Sequence, residues 1–126
     1  MTIHSRGGRM HERGMAEKIV SWCIRRLELH EVHPLHVEIL IKKMNEDSGY
    51  CEPLQDDNSY KLTIANNQSL RDFVMTVIHE MVHVKQYIRD DCKDPTDGDY
   101  DTLPSEKEAW TLQETLADEM WKDNIL

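Results

Sequence analysis

The sequence predicts an α+β fold with an N-terminal helix, a small antiparallel sheet of two or three strands, a long second helix and a C-terminal helix. Two observations lead to this order. Apolar residues recur at three- and four-residue spacing in three segments, and they alternate with polar residues in two segments between the first and second helices. The chain has 126 residues, of which 39% are hydrophobic, and this suits one domain with a modest core.

The first element is a helix over about 13–30. Its apolar stripe consists of Ala16, Ile19, Val20, Cys23 and Leu27. Residues 1–12 are polar and contain two glycines, so we expect a mobile N-terminal segment there. The single domain is then predicted to cover 13–126.

The sheet is predicted from two clear period-two patterns. Residues 35–42 alternate between apolar and more polar positions after Pro34, and residues 60–65 do the same before Asn66. The turn-rich stretch between them leaves room for a short middle strand at about 50–54.

The second helix has the strongest signals in the chain. Ser69 and Asp72 form an S-x-x-D capping signal at its start. Its apolar stripe then runs through Leu70, Val74, Val77, Met81, Val84 and Ile88. The acidic segment 90–102 is predicted to be a loop, and the last helix to begin near Pro104 or Ser105. The core stripe of that helix is Ala109, Leu112, Leu116 and Met120.

Composition excludes several classes of protein. No apolar run has the ~18–20 residues that cross a bilayer, and the N-terminus lacks the apolar stretch of a secretory signal. Residues 1–89 hold 12 acidic and 12 basic side chains, whereas residues 90–126 hold 12 acidic and 3 basic. We therefore expect neither a membrane nor a nucleic acid as partner. The three cysteines form no C-x-x-C pair, and an odd number of separated thiols predicts a cytoplasmic location.

Chemistry is concentrated in His79-Glu80-Met81-Val82-His83, an H-E-x-x-H motif. Histidines four residues apart project from one face of a helix, so both can bind one zinc ion. The intervening Glu80 is placed to take a proton from the attacking water. Because Val77 and Met81 lie about 200° from His79 around the helix, the stripe can face the core while the histidines face a cleft.

A catalytic zinc ion usually has three protein ligands, so a third is required. The metzincin continuation needs glycine and histidine where this chain has Gln86 and Arg89, and that class is excluded. The next candidates are Glu106 and Glu108 on the last helix. Helical geometry does not choose between them, because they flank the core stripe on opposite sides. A capping box between Ser105 and Glu108 would leave Glu106 available.

With these residues, segment 69–110 resembles the gluzincin class of zinc metallopeptidases, in which a glutamate on the helix after H-E-x-x-H completes the site. It is similar to compact stand-alone zincins of bacteria and phages, and more distantly to SprT-like domains. The resemblance implies a zincin-like fold and makes Glu106 the third zinc ligand. Two positions depart from it: Lys85 stands where an apolar residue is usual, and Trp110 where several families have aspartate.

Other candidates carry weaker signals. Tyr87 lies one turn beyond His83 and is predicted to stabilise the oxyanion, a role that Tyr60 or Tyr100 could also fill. The cluster His30, His33 and His36 is interrupted by Pro34, which predicts a surface turn rather than a metal site.

The predicted function is therefore zinc-dependent hydrolysis of a peptide bond in a peptide or protein substrate. By resemblance, the strand Tyr60–Ala65 would pair with the extended substrate. Two alternatives remain open: a zinc-containing binding or assembly module with little turnover, and an interaction protein whose motif is fortuitous. The sequence determines neither the substrate nor the oligomeric state.

Overall fold

The computed structural model describes residues 2–32, 34–89, 104–123 and 125. Its helices are α1 (Met10–Arg26), α2 (Leu70–Arg89) and α3 (Pro104–Lys122), and a 3₁₀ turn covers Leu29–Glu31. Its strands are β1 (Thr2–Gly7), β2 (His36–Lys42), β3 (Gly49–Pro53) and β4 (Ser59–Ala65). The α+β class is thus confirmed. The predicted loop at 90–102 and residue His33 lie outside the described residues.

The sheet is mixed, so the prediction of an antiparallel sheet of two or three strands was wrong. The four strands lie in the order β1-β2-β4-β3. The pairs β1/β2 and β2/β4 are parallel, and only β3/β4 is antiparallel. Alternation in the sequence reports which face of a strand is buried, but not the direction of its neighbour. That direction depends on the connections, here α1 between β1 and β2.

The N-terminal residues are not a mobile segment over their whole length, because Thr2–Gly7 pairs with β2 at one edge of the sheet. This strand escaped prediction since it has one apolar residue, Ile3, among polar ones. Gly7 and Gly8 both have positive φ, and a Cβ on Gly7 would collide with the carbonyl oxygen of Ile41. Because of this tight turn, helix α1 begins at Met10, earlier than the predicted start at about residue 13.

Helix α1 also ends earlier than predicted, at Arg26 rather than near residue 30. Glu28 adopts a left-handed conformation with φ of 61° and stops the helix before the 3₁₀ turn. His30 lies exposed in that turn, which agrees with the predicted surface turn, whereas His36 lies half-buried in strand β2.

One hydrophobic core lies between the helices and one face of the sheet. Every second residue of β2 is buried, and the residues between them are exposed or half-buried. Helices α1 and α2 and strands β2 and β4 all contribute side chains with almost no exposure to this core. They include Ile19, Ile24, Ile39, Leu62, Ile64, Ile78 and Met81. Helix α2 runs through the middle of this arrangement, with contacts to α1, α3, β3 and β4. No helix of the described residues is long and apolar enough to cross a membrane.

Candidate metal centre

Helix α2 carries the H-E-x-x-H motif at its centre. The backbone N–H of Asp72 donates to Ser69 Oγ at 3.1 Å, which confirms the predicted cap. The apolar stripe packs into the core, except that Leu70 at the first turn is 58% exposed. The other side of the helix meets α3, so His79, Glu80 and His83 are all buried between two elements.

Three side chains converge at this contact. His79 Nε2 lies 3.0 Å from Glu106 Oε2, and His83 Nε2 lies 2.8 Å from Glu106 Oε1. The two Nε2 atoms are 3.2 Å apart. Ligand atoms held ~2.0–2.1 Å from one tetrahedral zinc ion lie roughly 3.3 Å from one another. The three residues could therefore hold a metal ion with little movement.

The outward nitrogens of both imidazoles are fixed by side-chain amides. Gln113 Oε1 lies 2.9 Å from His79 Nδ1, and Gln86 Oε1 lies 2.7 Å from His83 Nδ1. An amide oxygen only accepts, so these contacts favour the tautomer of each imidazole in which Nδ1 carries the proton and Nε2 has a free lone pair. This is the tautomer that a metal ion at Nε2 requires.

Without a cation, the centre would place acceptors against acceptors. Two Nε2 lone pairs and the Glu106 carboxylate face one another within 3.2 Å, and all three residues are at least nine-tenths buried. Such a group is stable only with a positive charge among its members, either a proton or a metal ion. The pKa of His83 reflects this. Burial is the largest single influence and lowers it, but the hydrogen bonds to Glu106 and Gln86 together with the charges of Glu80 and Glu106 raise the net pKa above the ordinary value.

The second candidate carboxylate, Glu108, lies beside the centre rather than in it. Its Oε1 accepts from Gln86 Nε2 at 2.7 Å and from Arg89 Nη2 at 2.9 Å. Gln86 Nε2 also donates to the carbonyl oxygen of Ser105 at 3.0 Å. These two acceptors determine which way the Gln86 amide points, so its oxygen is turned towards His83. The structure brings Glu106 to the histidines and uses Glu108 to orient Gln86.

Glu80 lies in the same cleft and is 4% exposed. Its pKa is raised to about 7, chiefly because burial disfavours the carboxylate. The nearby carboxylates Glu106 and Asp47 add to this rise, and His83 and His79 oppose it. A carboxyl group with such a pKa can take up and release a proton near neutrality.

The cleft is a cavity of about 580 Å³. Its walls are the segment 46–48 with Gly49 at the start of β3, the N-terminal half of α2, and one face of α3. His79, Glu80 and Glu106 all line it, so the candidate metal centre opens onto a space large enough for part of a polypeptide.

Tyr87 is placed differently from the prediction. Its ring stacks on Tyr60 with centroids 5.9 Å apart, and it is not among the described residues that line the cavity. Its role at the oxyanion stays a prediction without structural support. Tyr60 belongs to the same aromatic pair, and Tyr100 lies outside the described residues.

Strand β4 cannot offer an edge to a substrate, so the expectation for Tyr60–Ala65 was wrong. This strand is paired on one side with β2 and on the other with β3, over most of its length. The sequence marks it as a well-buried strand but does not reveal that β3 lies outside it. The edge strand on the cavity side is β3, and Gly49 at its start lines the cavity.

Gln86 and Gln113 were not predicted as residues of the site. A signal was present: Gln86 follows His83 by three residues, and Gln113 follows Glu106 by seven, which places each one or two helical turns along the same face. Their importance depends on the α2–α3 packing, which the sequence alone does not give. Comparisons with protein-family models, curated proteins and solved structures find no match for this chain.

Proposed function

We propose that the protein is a zinc-dependent peptidase whose metal ligands are His79, His83 and Glu106. The observation that carries the proposal is the convergence of both Nε2 atoms and the Glu106 carboxylate, with contacts of 2.8 Å, 3.0 Å and 3.2 Å between the three side chains. An amide oxygen lies at Nδ1 of each histidine, and the buried Glu80 lies beside the centre. Two nitrogens and one carboxylate are a donor set that catalytic zinc sites use. Bound zinc supplies Lewis-acid polarisation of the scissile carbonyl and lowers the pKa of water to ~7.

Glu80 performs the proton transfers in this proposal. Its carboxylate takes the proton of the attacking water and then gives it to the amine of the leaving peptide. Burial raises the pKa of Glu80 to about 7 in the metal-free protein. A bound cation would lower this pKa and so favour the carboxylate that begins the reaction.

An extended substrate would lie along the outer edge of β3, which replaces β4 in this role. Gly49 lies where β3 meets the cavity, and a Cβ there would collide with Thr76 on α2 and with the backbone of Thr63. The glycine keeps this end of the strand close to α2. Backbone pairing at a sheet edge is a common way to hold a peptide regardless of its sequence.

The compartment that suits this proposal is the cytoplasm. Cys23 is a free thiol, fully buried in α1, and its burial raises the thiol pKa far above the ordinary value. A thiol of this kind is an inert part of the core and is compatible with the reducing environment of the cytoplasm.

The test is a comparison of Glu80→Gln with the intact protein. Each is loaded with one equivalent of zinc, and the hydrolysis of a mixed peptide library is followed by mass spectrometry. Glu80→Gln should retain zinc and lose roughly 100- to 10,000-fold in rate, because the proton acceptor is gone while the ligands remain. The control is Glu38→Gln, an exposed glutamate of β2 outside the cavity lining, which should keep full activity.

The outcomes separate the proposal from its alternatives. Equal activity of Glu80→Gln and the intact protein would overturn the catalytic role of Glu80. Stoichiometric zinc with no hydrolysis by the intact protein would favour a zinc-containing binding or assembly module. If the intact protein does not bind zinc, the motif is fortuitous and the proposal is overturned.

A further inference from the structure

The cavity walls carry an excess of negative charge beyond the candidate metal centre. Glu46 and Asp47 come from the segment before β3, Asp72 from the first turn of α2, and Glu114 from α3. Within the described part of the chain, Arg71 is the one lysine or arginine in the lining. A bound divalent cation would offset Glu80 and Glu106, but it would leave the outer walls acidic.

An exposed aromatic side chain stands at the same place. Trp110 is 52% exposed although it lines the cavity, and its ring meets His79 edge-on with centroids 5.1 Å apart. Glu106, Trp110 and Glu114 follow at intervals of four along α3, so they form one row that leads from the metal centre outwards. The indole therefore stands between a candidate metal ligand and an outer carboxylate.

A row of one exposed indole and one carboxylate is suited to bind a basic side chain of a ligand. The alkyl part of a lysine or arginine can pack on an exposed indole, its charge is attracted to the π-face, and its end can reach a carboxylate one helical turn away. An acidic side chain would be repelled by the same walls, since a cleft lined by one sign of charge concentrates the opposite sign.

We propose that the cleft selects polypeptide segments with a lysine or arginine next to the scissile bond, and that Trp110 and Glu114 contact that side chain. This inference rests on the proposed peptidase function, because it names the substrate class of the same cleft. Asp47 and Asp72 on the opposite walls would favour further basic residues in the segment. Trp110 and Glu114 are specificity residues in this proposal, and the proton transfers remain with Glu80.

The experiment measures binding and hydrolysis separately. Binding uses zinc-loaded Glu80→Gln and three peptides that are identical except for lysine, glutamine or glutamate at one position, followed by calorimetry at low and high salt. The lysine peptide should bind about tenfold more tightly than the glutamine peptide at low salt, and the difference should shrink at high salt. The same peptides are then offered to the active protein, and kcat/KM should follow the same order.

Two variants assign the preference to α3, and two controls lie on the same helix. In Glu114→Gln and Trp110→Leu, the ratio of kcat/KM for the lysine peptide to that for the glutamine peptide should fall towards one. The ratio is taken within each variant, so it reports the preference separately from any change in overall activity. The controls Asp118→Asn and Trp121→Leu remove an exposed carboxylate and a 43%-exposed indole outside the cavity lining, and they should keep the full ratio.

The failures are distinguishable. Hydrolysis with no preference for lysine, or a preference that survives Glu114→Gln and Trp110→Leu, overturns this inference and leaves the peptidase proposal standing. Preferential binding of the lysine peptide without hydrolysis by the intact protein supports the charge selection and overturns the peptidase proposal. The absence of both binding and hydrolysis overturns the two together.

Discussion

The two ends of α3 are attached to the molecule in different ways. At its N-terminal end, Glu106 and Gln113 meet the histidines of α2 through buried polar contacts. At its C-terminal end, Leu116 and Met120 belong to the hydrophobic core. The first end also has Ala109 in the core and hydrogen bonds from Gln86 to Ser105 and Glu108, but its buried acceptors need a positive charge among them. The second end depends more fully on apolar burial, which needs no ligand.

Contacts to α1 add to this difference. Trp22 Nε1 donates to Asp123 Oδ2 at 2.8 Å, and Arg26 forms an exposed ion pair with Glu119 whose Nη2–Oε1 distance is 3.1 Å. The C-terminal end is thereby tied to the N-terminal helix. A metal ion would thus be a cross-link for one half of α3 and of little consequence for the other half.

The largest expected effect is the loss of metal in Glu106→Ala. This change removes a charged ligand, so zinc affinity should fall by more than the ~10–100-fold that loss of an outer hydrogen-bond partner costs. Glu108→Ala is the comparison, because it removes a carboxylate on the same helix turn that contacts Gln86 and Arg89 rather than the histidines, and it should retain the metal with a much smaller loss of affinity. Competition with a chromophoric chelator measures both affinities. A protein that loses zinc in Glu108→Ala and keeps it in Glu106→Ala would contradict the ligand set.

Removal of zinc by a chelator should loosen one end of α3 more than the other. We expect faster amide hydrogen exchange over residues 106–113 and smaller changes over 116–122 and in β4, and hydrogen exchange with mass spectrometry, with and without chelator, measures this difference. Excess zinc should also raise the melting temperature, since a ligand at 100 times its Kd stabilises the native state by ~2.7 kcal/mol. Uniform loosening of the whole helix would show that the C-terminal end has no independent attachment.

A smaller effect is expected from the amides that orient the histidines. Gln113→Met keeps a similar volume and removes the acceptor for His79 Nδ1, which should lower zinc affinity by roughly 10- to 100-fold. The control is Thr111→Ala, whose hydroxyl bonds to the helix backbone at Lys107 and does not reach the histidines. Unchanged affinity in Gln113→Met would mean that the tautomer of His79 needs no support from α3.

The smallest effect belongs to the ion pair at the other end. The hydrogen bond from Arg26 lowers the pKa of Glu119, with a further contribution from the guanidinium charge. A lowered native pKa stabilises the fold above the unfolded-state pKa, and this stabilisation disappears as the pH falls through the native value. Arg26→Met should therefore cost ~0.2–1 kcal/mol at pH 7 and less near pH 3. Urea unfolding of the metal-free proteins at both pH values measures it, and a cost that grew on acidification would contradict this origin.

The sequence by itself determined the elements that carry the candidate site. The spacing of His79 and His83 places both imidazoles on one face of a helix, and Ser69 with Asp72 marks where that helix begins. These features are local, because a helix has a fixed period and its first turn needs a side-chain acceptor. The choice of Glu106 came from resemblance to a motif, and the geometry of α3 gives it a physical reason.

Tertiary structure decided what local patterns do not encode. The position of β4 inside the sheet depends on which strands pair, and the polar segment Thr2–Gly7 becomes a strand only because β2 offers it an edge. The roles of Gln86 and Gln113 likewise arise where α2 and α3 meet. Periodicity shows which face of an element is apolar, but the partner that covers that face is selected by the packing of the whole chain, and so the order of the strands and the partners of the histidines could be read only from the fold.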